Sequence, residues 1–262
     1  MSFKVEDKHK DALFSTGFTS FMIPNKYFER DIKPVEELTN KLLNNKQLVD
    51  MQIDGNDKCM QYIGDFCDEL GIYHDIKNNT ANITGYHEDL SELNKFVNSK
   101  KYAKVYQSWY WGELESNSDI NNLFFSIYQQ FYGMKKELMT LQKSNHRIQL
   151  YEQNQHIYVH RDGDYNDDSF DKNCFMLFYY GDWEDGFGGE LEVGLGINKD
   201  LDFVESDWDN IDKKIINSER GRLAILDFSK FNPPHKVHKV LDNKFIRKGI
   251  STIWISPKEE VV

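Results

Sequence analysis

Residues 147–164 read RIQLYEQNQHIYVHRDGD, and the periodicity of this run decides the fold. Apolar Ile148 and Leu150, then Ile157 and Val159, recur at every second position, which is the spacing of β-strands. Side chains two apart on a strand point to the same side. His160 and Asp162 can therefore bring an imidazole nitrogen and a carboxylate oxygen to one metal ion. One further histidine would complete a two-histidine, one-carboxylate facial set, which leaves open positions on non-haem Fe(II). The tripeptide alone does not discriminate, because a second His-x-Asp stands at His87-Glu88-Asp89. The surroundings must decide between them.

Working outward, strand-like runs fill the second half of the chain: 146–151, 157–162, 173–180, 189–193, 222–228, 236–241 and 245–256. Turn residues separate them, and residues 194–220 form a charged insertion around Trp208, either a lid or a surface excursion. Short strands in this number predict a sandwich or jelly roll.

The first half reads differently. Residues 11–30 predict a short strand or two and a turn. Pro34 suits the first position of a helix, with Val35, Leu38, Leu42 and Leu43 as its apolar stripe. Cys59, Ile63, Phe66, Cys67 and Leu70 mark a second helix, which Gly71 would end. Segment 72–88 is polar and reads as a loop. Leu90, Leu93 and Val97 follow on a short helix that Asp89 would cap, which explains the second His-x-Asp without a metal. Tyr106, Trp109, Tyr110 and Trp111 are core packing or the wall of a ligand pocket. Residues 119–140, with Ile120, Leu123, Phe124, Ile127, Phe131 and Leu138 on one face, predict the longest helix. No repeat or flexible linker divides the chain. The expectation is one α+β domain over residues 1–262: a mainly helical layer from 1–145 and a jelly-roll core from 146–262.

The chain has 262 residues, of which 39% are hydrophobic and 14% aromatic, enough for a packed core rather than disorder. A net charge of -11 argues against nucleic acid as a partner. Cys59, Cys67 and Cys174 are an odd number without framework spacing, as expected where thiols stay reduced. No apolar run approaches the roughly 18 residues of a membrane span, and the start carries no signal-like apolar segment. A cytoplasmic protein without a membrane partner is expected, and the sequons at Asn78 and Asn82 then read as surface turns. The oligomeric state is not legible.

Three features favour His160-Arg161-Asp162 over its rival. Downstream, FNPPHKVHKV supplies His235 and His238 on a strand. Asp242-Asn243-Lys244 reads as a turn that returns Arg247 alongside them, where a guanidinium can hold a carboxylate through two bonds. Between them, Gly188-Gly189-Glu190-Leu191 permits a close backbone approach before a core strand.

His-x-Asp, an aromatic strand, Gly-Gly-Glu-Leu, His and Arg in this order resemble the Fe(II)/2-oxoglutarate dioxygenases, and within them the prolyl-4-hydroxylase-like branch. The likeness spans about residues 146–256. Tyr151-Glu152-Gln153-Asn154 stands where the family has Tyr-Glu-x-Gly, nine positions before the histidine. CFMLFYYGDWEDGFGGELEV, residues 174–193, resembles the family's central strand, tryptophan-containing turn and Gly-Gly-Glu-Leu. The family motif His-x-Val-x-x-Val fits when counted from His235, which leaves His238 beside the pocket.

The resemblance implies a double-stranded β-helix and a metal set of His160, Asp162 and His235, with no catalytic side chain beyond the metal centre. It further implies that Arg247 holds the far carboxylate of 2-oxoglutarate with help from Tyr179 or Tyr180, that Tyr151 lies nearby, and that Ser251 takes the place of the family's hydroxyl residue two positions after the arginine, where this chain has Gly249. The implied cofactors are Fe(II), 2-oxoglutarate as co-substrate and O2. The implied activity is hydroxylation of an unactivated C–H bond, with release of succinate and CO2. A free amino acid or other small metabolite is the first choice of substrate, and a peptidyl-prolyl or other protein side chain the second. A non-catalytic jelly roll binding a metal or ligand is the alternative of another class.

Overall fold

The structure is a computed structural model, and residues 3–45, 49–77, 79–85, 87–99, 104–113, 119–133, 146–162, 170–203 and 205–257 are described. The chain runs α1 (Asp7–Thr16), β1 (Phe18–Met22), α2 (Glu29–Asn45), β2 (Val49–Asp54), α3 (Asp57–Leu70), β3 (Tyr73–Lys77), β4 (Thr80–Gly85), α4 (His87–Asn98), β5 (Lys104–Glu113) and α5 (Asp119–Tyr132). It continues with β6 (His146–Tyr151), β7 (His156–His160), β8 (Phe170–Tyr179), β9 (Leu191–Gly194), β10 (Lys213–Ile216), β11 (Arg222–Asp227), β12 (His235–Val237) and β13 (Arg247–Pro257).

Every strand pairing among the described residues is antiparallel. One run is ordered β1-β11-β8-β13-β6 and a second β7-β12-β9-β10, and β5 pairs with both β6 and β7 to join them. Two apolar clusters follow from strand alternation. On β8, Phe175, Leu177 and Tyr179 face one interior, together with Ile157, Leu191, Val193 and Val237 of the second run. Cys174, Met176 and Phe178, with Tyr180 just beyond, face the other side, where Ile32 and Val35 of α2 and Phe124 and Tyr128 of α5 cover them. That is why the sequence there is a continuous apolar run: both faces of the strand are buried. The same alternation on β11 splits Ala224 and Leu226 from Leu223 and Ile225.

Several expectations for the first half change. Residues 72–88 are not a loop; they hold the β3–β4 hairpin and the start of α4. Only one face of this hairpin is covered, with Ala81 and Ile83 buried and polar residues between them, so its composition reads as polar. Asn79, with φ 65°, supplies the left-handed turn residue. Residues 3–133 thus contribute β1 to β5 as well as helices α1 to α5. Helix α2 starts at Glu29, one turn before Pro34, because the Phe28 carbonyl already accepts the Ile32 amide at 2.9 Å; the proline forfeits one ladder bond in the second turn. Helix α3 keeps its expected end: Gly71 takes φ 66°, and its amide bonds back to Asp68 and Cys67. Helix α5 is described to Tyr132, and the remainder of the expected 119–140 helix, with Leu138, lies outside the described residues. Tyr106, Trp109, Tyr110 and Trp111 fall on β5, and their side chains also lie outside them.

The insertion is part of the sheet. Residues 213–216 pair with β9, and Trp208 is buried beneath the ammonium groups of Lys213 and Lys236 at 5.3 and 5.2 Å. No helix of the described residues is long and apolar enough to cross a membrane.

Candidate metal centre and buried arginine

The ladder places the histidines. His235 opens β12 as the register partner of His160 at the end of β7, and their rings lie 4.4 Å apart between centroids. His235 shares its strand face with Val237, so it faces the apolar interior and lies 6.0 Å from the Phe175 ring. Asp162 follows two residues past the strand end. Its Oδ1 is 3.9 Å from His160 Nε2 and its Oδ2 3.7 Å from His235 Nε2. Two ligand atoms each about 2.1 Å from one ion lie at most about 4.2 Å apart, so these spacings suit a shared cation.

Each imidazole is held in the tautomer a metal needs. His160 Nδ1 lies 2.8 Å from the Tyr158 carbonyl and His235 Nδ1 3.0 Å from the Pro233 carbonyl. A carbonyl only accepts, so Nδ1 carries a hydrogen, and in the neutral ring Nε2 is then the nitrogen with a free lone pair, on the side of Asp162. Burial lowers the His235 pKa to about 4, helped by neighbouring His160 and opposed by Asp162, so the ring is neutral at pH 7. Asp162 Oδ2 is buried and accepts no hydrogen bond from the described residues. A buried carboxylate oxygen without a donor is costly, and a cation among these three side chains would satisfy it. They are the group of histidines and acids among the described residues that could hold a metal ion.

The competing sites separate cleanly. His87 and Asp89 lie on α4, where positions two apart diverge by about 200°. His238 Nε2 lies 2.8 Å from Glu192 Oε2, which also receives Lys236 Nζ at 2.8 Å. Burial pushes the Glu192 carboxyl up, and the bonds from Lys236 and His238 more than offset it, leaving the group below its ordinary value. His238 is a partner of Glu192 rather than a member of the cluster.

Arg247 stands on the facing run. It opens β13 opposite Tyr151 of β6, after a turn in which Asp242 Oδ1 accepts the Lys244 and Phe245 amides at 2.7 and 2.9 Å. The side chain is 0% exposed. Its guanidinium carbon lies 4.6 Å from the Tyr151 ring centre and 4.8 Å from that of Tyr179. Nε donates to the Gly189 carbonyl at 2.8 Å and Nη2 to Tyr179 Oη at 2.8 Å. Nη1 is buried, and among the described residues it has no hydrogen-bond partner and no carboxylate pairs with this cation. Burial raises the Tyr179 pKa, although Arg247 pulls it down. The phenol therefore keeps its hydrogen and, having accepted from Arg247, can donate it to an anion. Tyr180 points the other way, with Oη 2.7 Å from Thr39 Oγ1 of α2. Ser251 shares the β13 face of Arg247, but its hydroxyl is directed to the Arg147 carbonyl at 3.4 Å.

The glycine pair shapes this pocket. Gly188 has φ 75°, and a Cβ there would meet the Lys239 carbonyl oxygen at 2.1 Å; a Cβ on Gly189, φ 76°, would press on Arg247 Cδ at 3.1 Å. Asn154 takes φ 71°, which accounts for asparagine where the family has glycine, since asparagine tolerates the left-handed region. Two neighbours escape sequence reasoning. Asn232 Nδ2 reaches the Asp162 carbonyl at 3.4 Å, and Arg161 bonds to backbone near residue 200. No local pattern marks either one, because their partners are distant in the chain.

Comparison with solved structures shows what this arrangement resembles. The SnoK structure, described as a non-haem alpha-ketoglutarate-dependent carbocyclase from nogalamycin biosynthesis, aligns over 96% of this chain and 84% of its own with a TM-score of 0.55 and 8% identity. The epimerase SnoN in complex with Fe3+, alpha-ketoglutarate and nogalamycin RO aligns over 96% and 83% with a TM-score of 0.55 and 7% identity. A Pseudomonas putida prolyl-4-hydroxylase superposes less well, with a TM-score of 0.47 and 11% identity over 95% and 97%. No protein-family model matches the chain, and no curated protein matches it by sequence. The fold, a mixture of helices and antiparallel sheet, is that of non-haem 2-oxoglutarate-dependent enzymes, in keeping with the resemblance read from the sequence motifs.

Proposed function

We propose that this protein is an Fe(II)- and 2-oxoglutarate-dependent oxygenase with a double-stranded β-helix core, and that it hydroxylates a C–H bond of a free amino acid or other small metabolite. The observation that carries the reading is Arg247: a wholly buried cation whose Nη1 is unsatisfied and which has no carboxylate partner among the described residues, lining the same interior as a His-Asp-His cluster. Burying an unpaired charge is unfavourable unless a ligand completes it. A metal ion at the cluster and a guanidinium without a carboxylate partner among the described residues suit a 2-oxo dicarboxylate, which can chelate through its oxo-acid end and reach the guanidinium with its far carboxylate.

His160, Asp162 and His235 would hold the iron, with neutral Nε2 lone pairs and a carboxylate as donors. Bound there, Fe(II) with 2-oxoglutarate and O2 supplies oxidative decarboxylation to succinate and CO2, together with the oxidising equivalent for the substrate. Arg247 binds the far carboxylate by charge-assisted hydrogen bonds. Tyr179 orients Arg247 and donates its own hydroxyl hydrogen to the same group. Tyr151, Leu177 and Val237 keep water from the interior, which strengthens the pairing. SnoK and SnoN are described as a carbocyclase and an epimerase, so product mass must separate hydroxylation from outcomes that add no oxygen.

The test supplies Fe(II), 2-oxoglutarate and O2, follows succinate, and screens amino-acid, metabolite and peptide pools for a product one oxygen atom heavier. Turnover of peptides alone would reassign the substrate to a protein side chain. Absence of succinate with every class offered would leave a non-catalytic metal-binding jelly roll.

A further inference from the structure

Of the three cluster residues, Asp162 has the least support from the sheet. His160 and His235 are ladder partners, whereas Asp162 lies past the end of β7, and among the described residues its carbonyl receives a single long bond, from Asn232 at 3.4 Å. The residue between the ligands is tied firmly. Arg161 Nη1 donates to the Leu201 carbonyl at 2.7 Å and Nη2 to the Asn198 carbonyl at 3.3 Å, and the guanidinium lies 5.3 Å from the Phe203 ring centre. The turn that receives these bonds is itself fixed to the segment leading into His235. Asn198 bridges Phe231, Lys199 N bonds to Lys230 O at 3.2 Å, and Asn232 N bonds to Ile197 O at 3.3 Å. Gly196 N adds a bond to Thr16 O at 2.7 Å at the end of α1.

We propose that the start of the 194–220 insertion is a fixed buttress of the metal centre, and that Arg161 is the positioning residue through which it holds Asp162. Neighbouring side chains past a strand end diverge, so the guanidinium reaches the turn while the Asp162 carboxylate faces the histidines. One turn thereby grips both metal-bearing segments: residues 230–232 before His235 and Arg161 before Asp162. This assignment rests on the reading of His160, Asp162 and His235 as a metal site. Supporting contacts around metal ligands typically change affinity by 10- to 100-fold when removed.

The test is titration of the 262-residue chain with Mn(II) under anaerobic conditions, read by electron paramagnetic resonance. The thermal unfolding midpoint of the metal-free protein is recorded in parallel. Arg161→Ala should weaken Mn(II) binding about ten-fold while moving the metal-free midpoint little, since the side chain is partly exposed. Arg161→Lys, which can reach one carbonyl but not both, should recover part of the loss. Phe203→Ala, which removes the ring beneath the guanidinium and leaves both hydrogen bonds, should produce a smaller loss in the same direction. Mn(II) affinity within two-fold of the wild-type value in Arg161→Ala would overturn the proposal. A lowered metal-free midpoint with unchanged affinity would overturn it equally, by reducing Arg161 to a stability contact. Failure of the wild-type chain to bind Mn(II) would instead remove the metal-centre reading, and this inference with it.

Discussion

Replacing Arg247 by methionine isolates the charge that the pocket is built around. The apolar chain of methionine can stay between the Tyr151 and Tyr179 rings, which now lie 4.6 and 4.8 Å from the guanidinium carbon, while every N–H is lost. With 2-oxoglutarate bound, the variant leaves a buried carboxylate with Tyr179 as its donor and no counter-charge. Breaking a buried ion pair from one side costs about 3–5 kcal/mol. The remaining tyrosine bond keeps the expected loss near the lower end, about 3–4 kcal/mol, or roughly 100- to 1,000-fold in affinity. Metal-free stability should change far less. The bonds to Gly189 O and Tyr179 Oη disappear, but so does an unpaired buried cation, and the two effects have opposite signs. The assay is anaerobic calorimetric titration of the Mn(II)-loaded protein with 2-oxoglutarate, preceded by titration with Mn(II) alone. Loss of 2-oxoglutarate binding with unchanged Mn(II) affinity is the expected pattern. Retention of 2-oxoglutarate affinity within a few-fold would refute the assignment of Arg247.

Further outcomes follow from other contacts. Asp162→Ala should lower Mn(II) affinity by more than about 100-fold, since loss of a ligand should exceed the effect of losing a supporting contact; His238→Ala should leave it unchanged, because His238 is engaged with Glu192. Gly188→Ala should cost about 3 kcal/mol or more in urea unfolding, combining a left-handed backbone with a Cβ driven into the Lys239 carbonyl. Asn154→Gly, by contrast, should leave stability close to the wild-type value in the same assay, since glycine accepts φ 71° without strain. For the metal-free protein, His235 has a folded pKa of about 4 against about 6.5 unfolded. The unfolded chain then binds the extra proton between these values, so stability falls as pH drops from about 6.5 towards 4. Measured unfolding free energies that stay flat across that window, or a His235→Asn variant with the same slope as the wild type, would contradict this.

The sequence was most legible where side chains repeat with a simple period or turns demand a residue type. Most strands from 146 onward, helix α3 with its Gly71 end, and the order His-x-Asp, Gly-Gly, His, Arg could be read locally, whereas β10 lay unread inside the charged insertion. The β3–β4 hairpin was hidden because a sheet covered on one face has a polar average composition, and α2 was displaced because Pro34 also fits a second turn. Which residues meet is a different kind of information. The sequence by itself determined the inventory: two histidines and an aspartate that could share a metal, and an arginine that could hold a carboxylate. Motif spacing already favoured His235 over His238, but only the tertiary structure showed that His235 is the ladder partner of His160, that Tyr179 rather than Tyr180 meets Arg247, and that Arg161 grips a turn some forty residues away. These choices depend on strand register, where a shift of one residue turns a side chain to the opposite face, and register is set by pairing between segments far apart in the chain.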